Sequence, residues 1–255
     1  MRGEPRLAPH FYIDITMHNT TKLLINHIFC HALLIPAVLY GDWWMFLCGF
    51  LWWYIIAIVA ISGGYHRYYS HKTFECGKVH QFLINFFGIF SGAGPALTWA
   101  AVHKQHHAYS DKEDDPHSYH RLGKWAVYVN TWGYESKIKR RFIKTLWRDP
   151  MLKWFHKNYF KLNLIIILIL LLIHPMLLVF GYAIPVVLAF HGYGILNILG
   201  HKDGPTNSII ANILTAGEGW HANHHRSPSS YNIGKEWWQF DPTALFIRYV
   251  GKVKR

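Results

Sequence analysis

The chain has 255 residues, of which 51% are hydrophobic and only 16% are charged, with 26 Lys and Arg against 14 Asp and Glu. This composition excludes a disordered or fibrous chain, and the length suits one domain over residues 1–255. Three cysteines without a CxxC pair exclude a disulfide-stapled secreted protein.

Four uncharged apolar stretches of about 20 residues match the hydrocarbon core of a bilayer. They are residues 23–41, 43–62, 162–180 and 182–200. Breaks of one or two residues join the first to the second and the third to the fourth. The pattern predicts an all-α integral membrane protein whose four transmembrane helices form two hairpins, with tips near Gly41 and Gly181.

The basic residues predict the orientation of these hairpins. All 26 Lys and Arg fall in residues 1–22, 63–161 and 201–255, so neither hairpin contains one. Under the positive-inside rule these three segments, and both termini, face the cytoplasm. The net charge of +12 is therefore a signal of membrane topology, and we expect no nucleic-acid partner.

Residues 79–102 are also free of charge, yet their pattern does not predict a fifth span. Gly88, Gly92, Gly94 and Pro95 interrupt the helical pattern. Glycine and proline weaken a helix, and broken backbone at membrane depth needs protein or water around it. We therefore expect an interfacial or re-entrant segment here.

Nine of the 19 histidines fall in four tight groups close to the ends of apolar runs. Two groups have the spacing HxxHH, at residues 103–107 and 221–225, which places all three imidazoles on one face of a helix. The HxxxxH group at 66–71 would diverge on a regular helix, so we expect it where the second span ends or unwinds. The groups predict a cytoplasmic helical cap that carries a di-metal site.

Nine imidazoles exceed the coordination number of one ordinary ion, so their count predicts two metal ions. Imidazole suits Fe, Zn, Cu and Ni, so the ligand type alone does not choose among them. The candidate ligands are His66, His71, His103, His106, His107, His201, His221, His224 and His225. We assign the other ten histidines, His117 among them, to surface, interfacial or helix–helix contacts.

Metal-binding imidazoles are usually held in orientation by a carboxylate or a carbonyl behind them. Several acidic residues lie close to the histidine groups along the chain. The candidates for this supporting role are Asp111, Asp114, Asp115, Asp203 and Glu218. The sequence does not pair particular carboxylates with particular histidines.

The order HxxxxH, HxxHH, Asn197-x-x-x-His201 and HxxHH resembles the membrane-bound fatty acid desaturase family over roughly residues 20–245. The chain is most similar to the stearoyl-type Δ9 branch, and its compact length resembles bacterial, cyanobacterial or phage-borne members. The resemblance implies two irons bound by the nine histidines, with Asn197 contributing through a water. It also implies an O₂-dependent enzyme that introduces a cis double bond into a saturated acyl chain.

The same resemblance implies a bent substrate tunnel. Trp99 matches a family residue that lines the bend in the acyl chain. Tyr193 stands where animal acyl-CoA members carry Thr, so the shape of the bend, and with it the regioselectivity, departs from that pattern. The acyl carrier stays open between CoA, a carrier protein and a glycerolipid ester.

A separate protein must supply the two electrons, because we expect no fused haem or flavin module. Ferredoxin is expected if the source is bacterial-like, and cytochrome b5 if it is eukaryotic. A basic cluster could meet lipid phosphates, the phosphates of an acyl carrier or such an acidic electron donor. Its members are Lys137, Lys139, Arg140, Arg141 and Lys144.

Three other functions compete with desaturation. A fatty acyl or lipid hydroxylase on the same di-iron scaffold differs only in the fate of the substrate radical. A zinc hydrolase would need fewer histidines, and the sequence has no HExxH motif. A metal transporter would place its ligands near the bilayer midplane, whereas these groups lie at span ends and in loops.

Overall fold

The computed structural model describes residues 10–129 and 138–253 and is built mainly from helices. Among these residues, four helices are long and apolar enough to cross a membrane. The first to fourth spans are Asn19–Tyr40, Trp43–Ser70, Pro150–Ile173 and Pro175–His201. The predicted all-α fold with four such helices is confirmed.

The other elements are short and lie between or after the spans. The helices are Lys78–Ile89, Ala96–Tyr109, Tyr119–Leu122, Lys124–Val129, Arg140–Lys144, Leu146–Arg148, Ile209–Leu214, His221–Arg226 and Pro242–Val250. Two strands of two residues, Phe74–Glu75 and Lys252–Val253, pair antiparallel with Phe74 opposite Val253. This pairing joins the end of the described chain to the segment that follows the second span.

The second and fourth spans are longer than a bilayer core requires. They contain 28 and 27 residues, or about 40 Å of helix at ~1.5 Å per residue, whereas the hydrocarbon is about 30 Å thick. The second span continues to Ser70 instead of ending at residue 62, because its polar end is buried by other helices. The additional residues 63–70 include Arg67. The sequence predicted a hairpin without basic residues, and the longer helix therefore departs from that prediction.

The turn between the third and fourth spans lies at His174 and not at Gly181. Pro175 lacks a backbone N–H, and a residue that precedes proline disfavours the α conformation, so the helix ends at Ile173. The His174 side chain accepts a hydrogen bond from the backbone N–H of Met176 at 3.2 Å. Gly181 lies inside a π-helical segment, Val179–Ala183.

The third span begins at Pro150, earlier than the predicted residue 162. Asp149 caps this helix, because its carboxylate accepts hydrogen bonds from the N–H groups of Met151 and Leu152 at 2.8 and 3.2 Å. Pro150 occupies the first helical position, where a missing N–H costs nothing. The helix therefore includes a polar first part that a hydropathy pattern alone does not assign to a span.

The uncharged segment 79–102 contributes to two helices joined at a glycine turn. Gly92 and Gly94 have φ values of +65° and +81°, a conformation open to residues without a Cβ. The Tyr65 hydroxyl donates to the Gly94 carbonyl at 3.2 Å, and the Gly94 N–H donates to the Tyr159 hydroxyl oxygen at 3.1 Å. The turn is thus tied to the second and third spans.

A polar contact links the first and fourth spans. His31 Nδ1 donates to the His27 carbonyl at 2.7 Å, and the tautomer that makes this bond presents Nε2 as an acceptor. His191 Nε2 lies 3.1 Å away and donates to it, and the Tyr128 hydroxyl bonds the other ring nitrogen of His191. One tautomer of each ring satisfies the whole chain of hydrogen bonds.

Close packing of the second span against helix Lys78–Ile89 generates a test of the fold. A Cβ at Gly88 would overlap the Tyr65 hydroxyl, whereas a Cβ at Gly181 would meet nothing within 4 Å. We expect Gly88→Ala to cost about 1–3 kcal/mol of stability through overpacking. Thermal unfolding of detergent-purified protein should show a lower midpoint for Gly88→Ala and little change for Gly181→Ala. Equal midpoints would contradict this packing.

Candidate metal centre

The nine predicted histidines converge at one end of the second and fourth spans. Their ring nitrogens form two groups, and the potential ligand atoms of each group lie within 4.8 Å of one another. The five-histidine group is His66, His71, His103, His107 and His224. The four-histidine group is His106, His201, His221 and His225. Each group could hold one metal ion.

A π-helix accommodates the HxxxxH spacing. Residues Ala57–Ser70 are π-helical, a winding in which hydrogen bonds join residues five apart. The His71 N–H accordingly donates to the His66 carbonyl at 3.1 Å, and the two rings lie 5.0 Å apart. The helix does end beside this box, as expected, but the wider winding rather than unwinding brings the two imidazoles to one face.

Within each group the imidazoles face one another through Nε2 atoms. These contacts are His66–His224 at 3.0 Å, His71–His103 at 2.9 Å, His107–His224 at 2.8 Å, His201–His221 at 2.8 Å and His221–His225 at 3.1 Å. The two groups are adjacent, since the rings of His107 and His225 stack with centroids 4.5 Å apart. Lone pairs converging in this way need protons or cations between them.

Three of the five predicted carboxylates lie behind candidate ligands. Each approaches the Nδ1 atom of a ring and leaves Nε2 directed into a histidine group, the arrangement that orients metal-binding histidines. The pairs are Glu218–His66 at 2.5 Å, Asp115–His106 at 2.9 Å and Asp111–His201 at 3.6 Å.

The other two predicted carboxylates lie elsewhere. Asp114 pairs with Lys139 at 2.5 Å on the surface. Asp203 is exposed and joins no potential metal group among the described residues. His117, which the sequence analysis assigned to surface or interfacial contacts, joins Asp115 and His106 in a third group. Because Asp115 already bonds His106 Nδ1, we read this third group as support for the four-histidine group.

Arg67 is a site residue that sequence reasoning missed. Its side chain is only 1% exposed and donates to Asp241 at 2.9 Å and to Glu218 at 3.2 Å. The Ser62 hydroxyl also donates to Glu218. A basic residue between His66 and His71 was a signal in the sequence, because a cation buried by neighbouring helices needs anionic partners. Arg67 therefore fixes the carboxylate that orients His66.

The electrostatics keep the Glu218 carboxylate ionised and the imidazoles of His106 and His221 neutral. Burial acts to raise the pKa of Glu218, but His66 and Arg67 outweigh it and lower the pKa to about 2. Burial, reinforced by neighbouring imidazoles, lowers the pKa of His106 and of His221 well below the usual value. Neutral imidazole is the form that binds metal ions. At the nearby surface, burial and the charge of Lys72 lower the pKa of Lys104 to about 8.

A cavity of about 40 Å³ adjoins both histidine groups. Its lining residues are His66, Trp99, Val102, His103, His106, His117, Tyr193, Leu196, Asn197, Glu218 and His221. Trp99 stacks on His103 with ring centroids 5.1 Å apart. Tyr193 is buried, and its ring centroid lies 6.2 Å from that of Trp53. The two predicted tunnel residues and Asn197 thus share one cavity, whose volume suits small groups rather than a long chain.

This donor set is a chemical fit for transition metals. The nine donors are imidazole nitrogens, and the carboxylates stand behind the rings instead of between them. Such ligands suit iron, copper, zinc or nickel and disfavour magnesium and calcium, which prefer oxygen. The two groups lie side by side, so two ions held here would form one centre.

Comparison with known proteins gives the family. A family model described as "Fatty acid desaturase" matches residues 41–248, which contain all nine histidines. An sn-1 stearoyl-lipid 9-desaturase of Anabaena variabilis is 28% identical, over 92% of this chain and 90% of its own. An sn-2 palmitoyl-lipid 9-desaturase of Nostoc sp. (strain 36) is 30% identical, over 86% and 82%. An icosanoyl-CoA 5-desaturase of Limnanthes douglasii is 27% identical, over 91% and 68%. The chain therefore belongs to the fatty acid desaturase family and is a membrane-bound acyl desaturase.

Proposed function

We propose that the protein is an O₂-dependent di-iron desaturase that introduces a cis double bond near carbon 9 of a saturated acyl chain. The observation that carries this proposal is the pair of adjacent histidine groups opening on one cavity with Trp99 and Tyr193. The names of the Anabaena and Nostoc relatives favour carbon 9 and a glycerolipid-borne chain. The Limnanthes relative acts at carbon 5 of an acyl-CoA by its name, so the proposal needs a direct test.

The nine histidines would hold two irons, one in each group, with Asn197 beside the four-histidine group. Asn197 lines the cavity and lies one turn before His201 of that group on the same helix, which supports this placement. When bound, the irons would supply the oxidising power that breaks unactivated C–H bonds. The overall reaction takes two hydrogens from the acyl chain, and two electrons and two protons from outside, to convert one O₂ into two waters.

The surrounding residues position the reactants and limit water. Three carboxylates restrain the orientation of imidazoles that would coordinate the metal ions. The pairs are Glu218–His66, Asp115–His106 and Asp111–His201. Val102 and Leu196 add apolar surface to the cavity beside Trp99. Fixing two adjacent carbons in a dry site favours loss of both hydrogens over competing reactions.

We also propose that both termini and the metal centre face the cytoplasm. The support is the distribution of basic residues, which are concentrated outside the apolar parts of the spans. Alkaline phosphatase and green fluorescent protein fusions at Gly41 and His174 should report an outside location. Fusions after residue 255 should report the inside. An outside location for residue 255 would contradict the orientation.

The first test of the reaction is product analysis in a host without its own desaturase. Expression with a ferredoxin and its reductase should yield cis-9 monounsaturated acids in membrane lipids, seen by gas chromatography. Hydroxy acids without a new alkene would identify the hydroxylase instead. Neither product from protein that contains two irons would contradict both reactions.

His106→Ala and His224→Ala should abolish product, because each removes a ligand from one group while the spans stay intact. Iron per chain should fall in both purified variants. His80→Ala provides the matched control, since His80 belongs to neither group, and should retain iron and product. Wild-type iron content in the two ligand variants would contradict the assigned sites.

Tyr193→Thr should change the product profile without changing iron content. Tyr193 is buried in the cavity wall, and a smaller side chain leaves space that alters how the acyl chain bends. We expect a different double-bond position or preferred chain length. Tyr193→Phe keeps the ring and should keep the wild-type profile. Identical profiles from Tyr193→Thr and wild type would contradict a role of Tyr193 in shaping the bound acyl chain.

A further inference from the structure

Two short segments that follow the fourth span expose apolar side chains and bury polar ones. In the helix Ile209–Leu214 three isoleucines are exposed, whereas the polar Asn212 is buried. The segment 237–240 repeats this pattern, since two tryptophans and a phenylalanine are exposed while Gln239 is buried. A surface in contact with water normally has the opposite arrangement. We call the exposed side of the two segments the inverted face, and its members are Ile209, Ile210, Ile213, Trp237, Trp238 and Phe240.

Hydrogen bonds hold the two segments of the inverted face together. Asn212 Nδ2 donates to the Phe240 carbonyl at 3.1 Å, and the Trp220 indole N–H donates to the same carbonyl at 2.9 Å. The rings of Trp220 and Trp238 also pack edge to face with centroids 5.4 Å apart. The polar groups on the inner side are therefore bonded to protein, and the apolar side chains form one continuous outer surface.

The helix Ile209–Leu214 runs back along the fourth span toward the bilayer. An added Cβ at Gly192 would lie 3.1 Å from the Leu214 carbonyl oxygen, which also accepts a hydrogen bond from the Trp53 indole at 3.3 Å. Gly192 precedes the end of the span at His201 by nine residues, or about 13 Å of helix. The fourth span exceeds the hydrocarbon thickness by only about 10 Å. Leu214 therefore reaches the depth of the lipid acyl chains.

We propose that the inverted face inserts into the bilayer leaflet on the side of the metal centre, among the acyl chains and carbonyl groups of its glycerolipids. A large exposed apolar patch is typical of a membrane contact. The isoleucines would meet acyl chains. The Trp237 side chain, which is 96% exposed, would lie at the level of the headgroups, where tryptophan is enriched.

Insertion would also fix part of the metal centre relative to the bilayer. The last HxxHH group, residues 221–225, lies in the chain between the two segments of the inverted face. Asn223, inside this group, donates to Gln239 Oε1 at 2.8 Å, so the group is bonded to the inner side of the segment 237–240. A membrane contact of the inverted face would thus be transmitted directly to the segment that carries three candidate ligands.

The depth of the helix favours lipid over a second copy of this chain as the occupant. Acyl chains surround the spans at the level of Leu214, and apolar groups in lipid gain no hydrophobic energy by pairing with protein instead. A second copy is the competing outcome of the test.

The test is spin-label accessibility in lipid nanodiscs, with the three native cysteines replaced by alanine. Labels are placed at Ile210→Cys and Trp237→Cys. Ile165→Cys, on the exposed side of the third span, is the reference for lipid, and Glu113→Cys, in an exposed loop, is the reference for water. Power saturation compares collisions with O₂, which concentrates in lipid, and with a water-soluble nickel chelate. We expect the Ile210→Cys label to match the lipid reference and the Trp237→Cys label to fall between the two references.

Two results would overturn the proposal. Labels at both positions that meet nickel as often as the Glu113→Cys label would place the inverted face in water. A label at Ile210→Cys that is shielded from both reagents and shows spin–spin coupling between two chains would assign the face to a dimer. Both results concern the surface alone, so they leave the proposed reaction unaffected.

A second measurement does not depend on labelled cysteines. Ile210→Asp/Ile213→Asp should lower the midpoint of thermal unfolding in nanodiscs by roughly 5 °C or more, because a carboxylate in lipid loses its hydration. Ile210→Leu/Ile213→Leu is the matched control and should keep the wild-type midpoint. On a surface that faces water, the aspartate pair would be close to neutral. An unchanged midpoint in the aspartate variant would therefore also overturn the insertion of the inverted face.

Discussion

The buried guanidinium of Arg67, held between Glu218 and Asp241, is the interaction on which the centre depends. Asp241 caps the helix Pro242–Val250, and Glu218 bonds the ring of His66, so one cation joins the second span to two later segments. Removing one partner from such a network leaves an uncompensated buried charge, at a cost of about 3–5 kcal/mol. Through Glu218, which precedes the last HxxHH group, these contacts hold that segment against the helix of the HxxxxH group without a metal ion.

Charge balance explains why carboxylates stand behind the imidazoles. Nitrogen ligands bring no negative charge, so ions in the two groups would keep their full positive charge in a buried place. Glu218, Asp115 and Asp111 place three anions one ring away, where they offset that charge without entering the coordination sphere. Arg67 in turn holds Glu218 ionised. With metal ions bound, the arrangement would keep the centre strongly electrophilic while limiting the cost of burying its charge.

The sequence predicted the four spans, the nine converging histidines and the family, because each signal is a spacing along the chain. It did not predict features set by contacts between distant segments. Spacing gave no means to pair Asp115 with His106, or to separate it from Asp114, which faces Lys139 instead. Hydropathy placed the second hairpin tip at Gly181, whereas Pro175 ends the helix at Ile173. The hydropathy pattern also ended the second span at residue 62 instead of Ser70. Hydropathy does not distinguish polar residues that other helices bury from polar residues of a loop.

The π-helix at Ala57–Ser70 has a consequence for how relatives of this chain are recognised. The π-helix is a rare winding that is frequently found at functional sites. The five-residue interval between the first two histidines therefore determines whether their imidazoles lie on one face of the helix. An insertion or deletion of one residue within this segment would rotate one imidazole away from its partner. Homologues that keep both histidines but alter their interval would have a rebuilt centre, even where every other motif is preserved.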